Sequence, residues 1–180
     1  MSLRLSTAAL ALITTAALAA CSTSPHDPLA TGAVAQAQLQ PTQGSSVQGQ
    51  VRFTTQKDGS VRVQGSVQGL APNTEHGFHV HDKGDCSAPD GTSAGGHFNP
   101  NNTAHARHGS GHAGDLPSLR ADGTGTATFD FSSRSITVGQ GATNVVGRGV
   151  IVHKDADDYT TQPTGNAGAR LACGVVTAAK

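Results

Sequence analysis

From Val47 onward, apolar residues recur at every second position rather than every third or fourth, as in Val47-Gln-Gly-Gln-Val51-Arg-Phe53 and Val61-Arg-Val63-Gln-Gly-Ser-Val67. Successive side chains of a strand project to opposite faces, so this alternation specifies half-buried β-structure. Lys57-Asp-Gly-Ser60 separates the two runs and reads as a hairpin turn. Further strand candidates are His76–His81, Thr124–Phe131, Ser135–Val138, Gly149–His153 and Leu171–Val176, with Ala121-Asp-Gly123 as another turn. No segment carries a helical period. Short strands, turn signals and two long polar loops at 82–115 and 154–170 predict an all-β sandwich or flattened barrel. Polar loops that long in a compact domain generally carry function.

Composition sharpens this. Aromatic residues are 3% of the chain, Trp is absent and Gly has 23 copies, so the core rests on Val, Ala, Leu and a few Phe. A small domain with so thin a core needs covalent or metal staples, and nine His and three Cys are the supply. Twelve basic and twelve acidic residues cancel, which argues against a nucleic-acid partner held by general electrostatics.

The N-terminal region reads differently. Residues 1–20 begin with Arg4 and continue through a short apolar run, the pattern of a secretory signal rather than a membrane span. The run closes on Leu18-Ala-Ala-Cys21, which matches the bacterial lipobox and implies lipidation of Cys21. Residues 21–45 are rich in Ser, Thr, Ala, Gln and Pro and read as a flexible linker, with His26 a solvated bystander. The chain thus reads as signal peptide, linker and one domain over 46–180. It is expected outside the cytoplasm, periplasmic or at the cell surface, as a membrane-anchored lipoprotein.

Histidines dominate the candidate chemistry. His79 and His81 are two apart on a strand and share a face, while Phe78 and Val80 point to the core. His153 ends another strand and supplies a third imidazole, a donor set that suits copper, zinc or nickel. The loop 97–115 adds His97, His105, His108, His112 and Asp115. Three nitrogens with one carboxylate suit tetrahedral zinc. Strand parity puts His76 opposite His79, as a backbone-binding or surface residue.

Gly77-Phe-His-Val-His81, Gly95-Gly-His-Phe-Asn-Pro100, His112-Ala-Gly-Asp115, Val150-Ile-Val-His153 with Ala156-Asp-Asp158, and Gly165-Asn-Ala-Gly-Ala-Arg-Leu-Ala-Cys-Gly-Val175 resemble, in order, the signature segments of copper/zinc superoxide dismutases. The resemblance spans nearly all of 46–180. It implies a Greek-key, immunoglobulin-like sandwich with long metal-binding and active-site loops, and one copper and one zinc per subunit. By it, His79, His81, His97 and His153 bind copper, while His97, His105, His112 and Asp115 bind zinc, with His97 bridging. His108 is the alternative to His105. Asp157 matches the carboxylate that orients one histidine of each set, Cys86 and Cys173 the intrachain disulfide, and Arg170 the arginine that draws in the substrate. The implied activity is dismutation of superoxide to O2 and hydrogen peroxide as copper cycles between Cu(II) and Cu(I), with His97 carrying a proton. The other reading is a copper- and zinc-binding lipoprotein without turnover, a metal chaperone or buffer. Either a monomer or a homodimer is compatible with the sequence.

Overall fold

A computed structural model describes residues 30–179. The predicted signal peptide, Cys21 and His26 lie outside the described residues. Ten strands follow in chain order: β1 Ala30–Pro41, β2 Gln48–Gln56, β3 Val61–Gln68, β4 Glu75–His76, β5 Phe78–His81, β6 Leu119–Arg120, β7 Ala127–Ser133, β8 Gly149–His153, β9 Arg170–Val175 and β10 Thr177–Ala178. No α-helix occurs among the described residues; a single 3-10 turn spans Thr92–Ala94. The fold is all-β, as the alternation predicts.

The main sheet runs β5-β8-β9-β1-β2-β3-β7, with β10 added to β1, and every strand pair is antiparallel. The connections β3 to β5 and β7 to β8 cross from one end of this order to the other, which is Greek-key connectivity. The curled sheet buries Leu39, Phe53, Val63, Phe78, Val80 and Phe98 together. Phe78 and Phe129 meet at 5.2 Å between ring centroids. Fully burying one such side chain contributes roughly 1.5–3 kcal/mol, so the few Phe residues carry a large share of a core otherwise made of Val and Ala.

Two sequence expectations are overturned here. The predicted linker, residues 21–45, contains β1, which pairs with β2 on one side and β9 on the other. Ala35, Ala37 and Leu39 alternate into the core, while Gln36, Gln38 and Gln40 face out. The folded domain therefore includes Ala30–Pro41 and does not begin at 46. The predicted strand Ser135–Val138 is a bend with one isolated bridge, Thr137 to Asn144. Its Ile136 and Val138 are buried from a loop, which produces the same alternation without a ladder.

Candidate metal centre

Both faces of β5 and β8 are covered, which is why each reads as fully buried. Phe78, Val80, Val150 and Val152 enter the main core. His79, His81, Ile151 and His153 occupy the opposite face, where Ile151 packs with Ala94 and Cys173 under the long loops. Antiparallel register sets His79 against Ile151 and His81 against Gly149, so the three imidazoles come from adjacent positions on one ladder.

Each ring is fixed by one nitrogen. His79 Nε2 lies 2.7 Å from Asp157 Oδ2, His81 Nδ1 2.9 Å from the Gly95 carbonyl, and His153 Nδ1 3.3 Å from the Gly168 carbonyl. These partners are acceptors, so the nitrogens facing them carry the protons and the other nitrogens present lone pairs. Those lone pairs converge. His81 Nε2 and His153 Nε2 are 3.3 Å apart, and His79 Nδ1 and His97 Nε2 are buried without any hydrogen-bond partner. The ligating atoms of His79, His81, His97 and His153 lie within 4.8 Å of one another.

A second set of four, His97, His105, His112 and Asp115, meets the same criterion. His97 Nδ1 is 2.9 Å from Asp115 Oδ1 and 3.3 Å from His112 Nδ1. His105 Nδ1 is 3.0 Å from Asp115 Oδ2 but is not aligned for a hydrogen bond to it. Asp115 is held by the backbone N–H groups of Ala106 and His112. His97 thus turns one nitrogen to each set. Asp157 sits behind both, bonded to His79 and, at 2.8 Å, to His105 Nε2. A side chain at Gly165 would collide with the Asp157 carboxylate and His105 imidazole, and its φ of 65° also favours glycine.

Electrostatics favour the neutral form of His79, His81, His112 and His153 and the charged form of Asp115 and Asp157. Burial, with neighbouring imidazoles adding to it, lowers His79 to about 4 and His153 to about 3, and pushes His81 well below its ordinary value. Burial also lowers His112. For Asp157 burial acts upward, but hydrogen bonds from His79, His105 and the Tyr159 N–H outweigh it and hold the carboxyl at about 2. Asp115 is lowered too, because its bonds with His97 and the His112 N–H outweigh burial. Neutral imidazoles with converging lone pairs, and a charged carboxylate in the second set only, are donor sets that fit copper and zinc respectively.

Of the two alternatives, the structure brings His105 into the second set. His108 lies outside it: its Nδ1 meets the Asp115 carbonyl at 2.9 Å and its ring stands edge-on to Phe131. His76 is buried, bonded to the His153 carbonyl and Thr74. Arg170 is half-buried, donating to the Gly91 carbonyl at 2.7 Å and the Gly95 carbonyl at 2.6 Å. Gly95 O also accepts from His81, so cation and imidazole share one anchor. Cys86 and Cys173 form a disulfide that closes 87 residues of chain and ties the 82–96 segment to β9. Gly91, Gly95, Tyr159 and Gln162 have supporting roles that sequence does not announce, since most act through backbone groups.

A family model described as copper/zinc superoxide dismutase matches residues 47–176. A copper–zinc superoxide dismutase of Paramecium bursaria Chlorella virus 1 is 42% identical over 143 residues, covering 74% of each chain. One from Xenopus laevis is 42% identical over 138 residues, 72% of this chain and 89% of that protein. One from Aquifex aeolicus (strain VF5) is 37% identical over 122 residues, 64% of this chain and 71% of that protein. Among solved structures, the clock protein EA4 superposes with a TM-score of 0.73 at 38% identity, covering 85% of this chain and 99% of its own. A double mutant of a SOD-like protein from Bacillus subtilis gives 0.70 at 38% identity, with coverages of 77% and 94%.

Proposed function

The chain belongs to the copper/zinc superoxide dismutase family, and we propose that it disproportionates two superoxide anions and two protons into O2 and hydrogen peroxide at the His79, His81, His97 and His153 set. Copper bound there supplies one-electron exchange between Cu(II) and Cu(I), and zinc in the second set supplies charge and order without redox chemistry. The residues do the rest. Arg170 keeps its charge and binds and orients the anion beside His81, held in place by two backbone carbonyls. His97 accepts and returns a proton at Nε2, while its Nδ1 stays against Asp115. Asp157 holds His79 and His105 in one orientation, so both sets keep their tautomers.

The observation that carries this reading is His97, a single buried ring whose two nitrogens face two separate donor sets, one nitrogen without any partner. Elemental analysis together with superoxide consumption by the purified chain tests it. Two metals bound with no superoxide consumption would favour a buffer or chaperone.

We also propose export and anchoring through a lipid on Cys21, on the strength of the Leu18-Ala-Ala-Cys21 segment. With Ala30 already in the sheet, only residues 22–29 separate that cysteine from the first strand. Cys21→Ser should move the protein from the membrane to the soluble fraction with its specific activity unchanged; persistent membrane association sinks the anchor.

A further inference from the structure

Gln162 lies on the 154–170 loop, outside both donor sets, and both ends of its amide bond to one residue of the second set. Its Oε1 accepts from the His105 backbone N–H at 2.8 Å, and its Nε2 donates to the His105 carbonyl at 2.8 Å and to the Thr160 carbonyl at 3.3 Å. A primary amide has acceptor and donor side by side, so it can pair with both peptide groups of one residue as a neighbouring strand would. An apolar side chain of the same length fills the same space and makes neither bond.

His105 needs this support. It sits in a stretch without strand or helix, so no ladder fixes its backbone. Its ring is held at Nε2 by Asp157, which lies on the same loop as Gln162. With the ring bonded at one end and the peptide clamped at the other, the remaining freedom of the side chain is small and Nδ1 is aimed at the second set. Gln162 itself is exposed while His105 is buried, so losing the amide opens no cavity in the core.

We propose that Gln162 is a positioning residue for the His105 ligand, and that through it the 154–170 loop is an integral part of the zinc site. This rests on the reading that His97, His105, His112 and Asp115 hold zinc. Removing a partner that orients a metal ligand typically costs 10–100-fold in affinity.

The test uses the full chain with copper loaded in the first set and cobalt(II) as a spectroscopic probe in the second. Gln162→Met should perturb the visible cobalt bands and speed cobalt release to a chelator by about tenfold, while the melting temperature of the metal-free protein stays within a few degrees. Gln162→Glu keeps the acceptor for the His105 N–H and loses the donor, so its release rate should fall between the two. Cobalt bands and release rates in Gln162→Met that match the parent chain overturn the clamp and leave the zinc reading standing. Absence of tetrahedral cobalt bands in the parent chain overturns the zinc reading and the clamp with it.

Discussion

The two donor sets share His97, and Asp157 braces one histidine of each, yet they are built in different ways. Three imidazoles of the copper set stand on β5 and β8, where ladder hydrogen bonds and a packed core fix the backbone before any metal arrives. The zinc set is drawn from the 97–115 loop: His97 and Asp115 bridge by backbone to His81 and His79, whereas His105 and His112 have no such bridge, and order there comes from polar contacts, with Asp115 accepting from two backbone N–H groups, Asp157 gripping the His105 ring and Gln162 gripping its peptide. A ladder or bridge positions ligands by backbone bonds shared with the fold, whereas His105 is positioned by side-chain bonds that a single substitution removes. Metal binding should therefore be a small perturbation of the first set and a large contribution to the order of the second.

Acid inverts that ranking. The rigid set buries three imidazoles in their neutral form, with His79 held at about 4 and His153 at about 3 against an ordinary 6.5. An unfolded chain takes up those protons near 6.5, and the folded chain does not until the pH reaches the lowered values. Folding stability from these groups is thus fully present above 6.5 and is lost as pH falls toward 3–4. At about 1.36 kcal/mol per pKa unit, the loss amounts to several kcal/mol. The carboxylates Asp115 and Asp157 weaken the fold only later, below about 4. Urea unfolding of the metal-free protein from pH 7.5 to 4.5 should show a steady fall, reduced in His153→Gln; a flat profile breaks the argument.

The disulfide provides the next largest effect. Closing 87 residues of chain is worth on the order of 4 kcal/mol in the chain-entropy model. Cys173→Ser should lower the melting temperature by several degrees or more, and an unchanged melting temperature would mean that the staple is idle. Because Gly91 and Gly95 lie on the segment tied by Cys86, the same variant should disturb Arg170 more than the zinc set.

A sharper cut through the loop comes from His105 and His108, three residues apart with opposite surroundings. A structural zinc site is worth ~10–16 kcal/mol over four ligands, so losing one should weaken zinc by about a hundredfold or more. His105→Ala should therefore lose zinc and keep copper, while His108→Ala, which removes a bond to the Asp115 carbonyl and a ring contact with Phe131 but no member of either set, keeps both. Metal content after dialysis distinguishes them, and the reverse pattern would redraw the loop.

These contrasts also explain what was legible in the sequence. His79, His81 and His153 could be placed because strand parity is a local rule, and the family motifs carried His97, His112, Asp115, Asp157 and Arg170. His105 is favoured over His108 only by its spacing from His97, with His108 left as the alternative, since a loop has no period to say which ring turns inward. β1 reads as linker because its inward residues include Ala35 and Ala37, too small to register as a hydrophobic stripe, although both pair with β2 and Ala35 also with β10. Ser135–Val138 failed in the other direction, two buried side chains from a bend imitating a strand. Gln162 gave no signal, because a glutamine that clamps a peptide looks like any exposed glutamine.

The smallest expected effect bears on Arg170, the cation proposed to guide the substrate, which belongs to the strand side yet depends on a loop for its aim. Arg170 starts β9, and its guanidinium is oriented by the Gly91 and Gly95 carbonyls. It is not among the ligands, so Arg170→Ile should retain both metals and the copper absorption spectrum. Superoxide consumption should fall by about tenfold, since losing roughly 1.4 kcal/mol of stabilisation for the anion is already that factor. The chain carries no net charge, and between Asp158 and Arg170 it has neither Glu nor Lys, so no strong general field compensates. The rate at limiting superoxide should fall with ionic strength in the parent chain, because salt screens a partly exposed cation, and should vary less in the variant. Equal salt slopes with a reduced rate would assign Arg170 to orientation at the site rather than to capture. Equal rates would remove it from the reaction and leave its two carbonyl bonds as a tie between the 82–96 segment and β9.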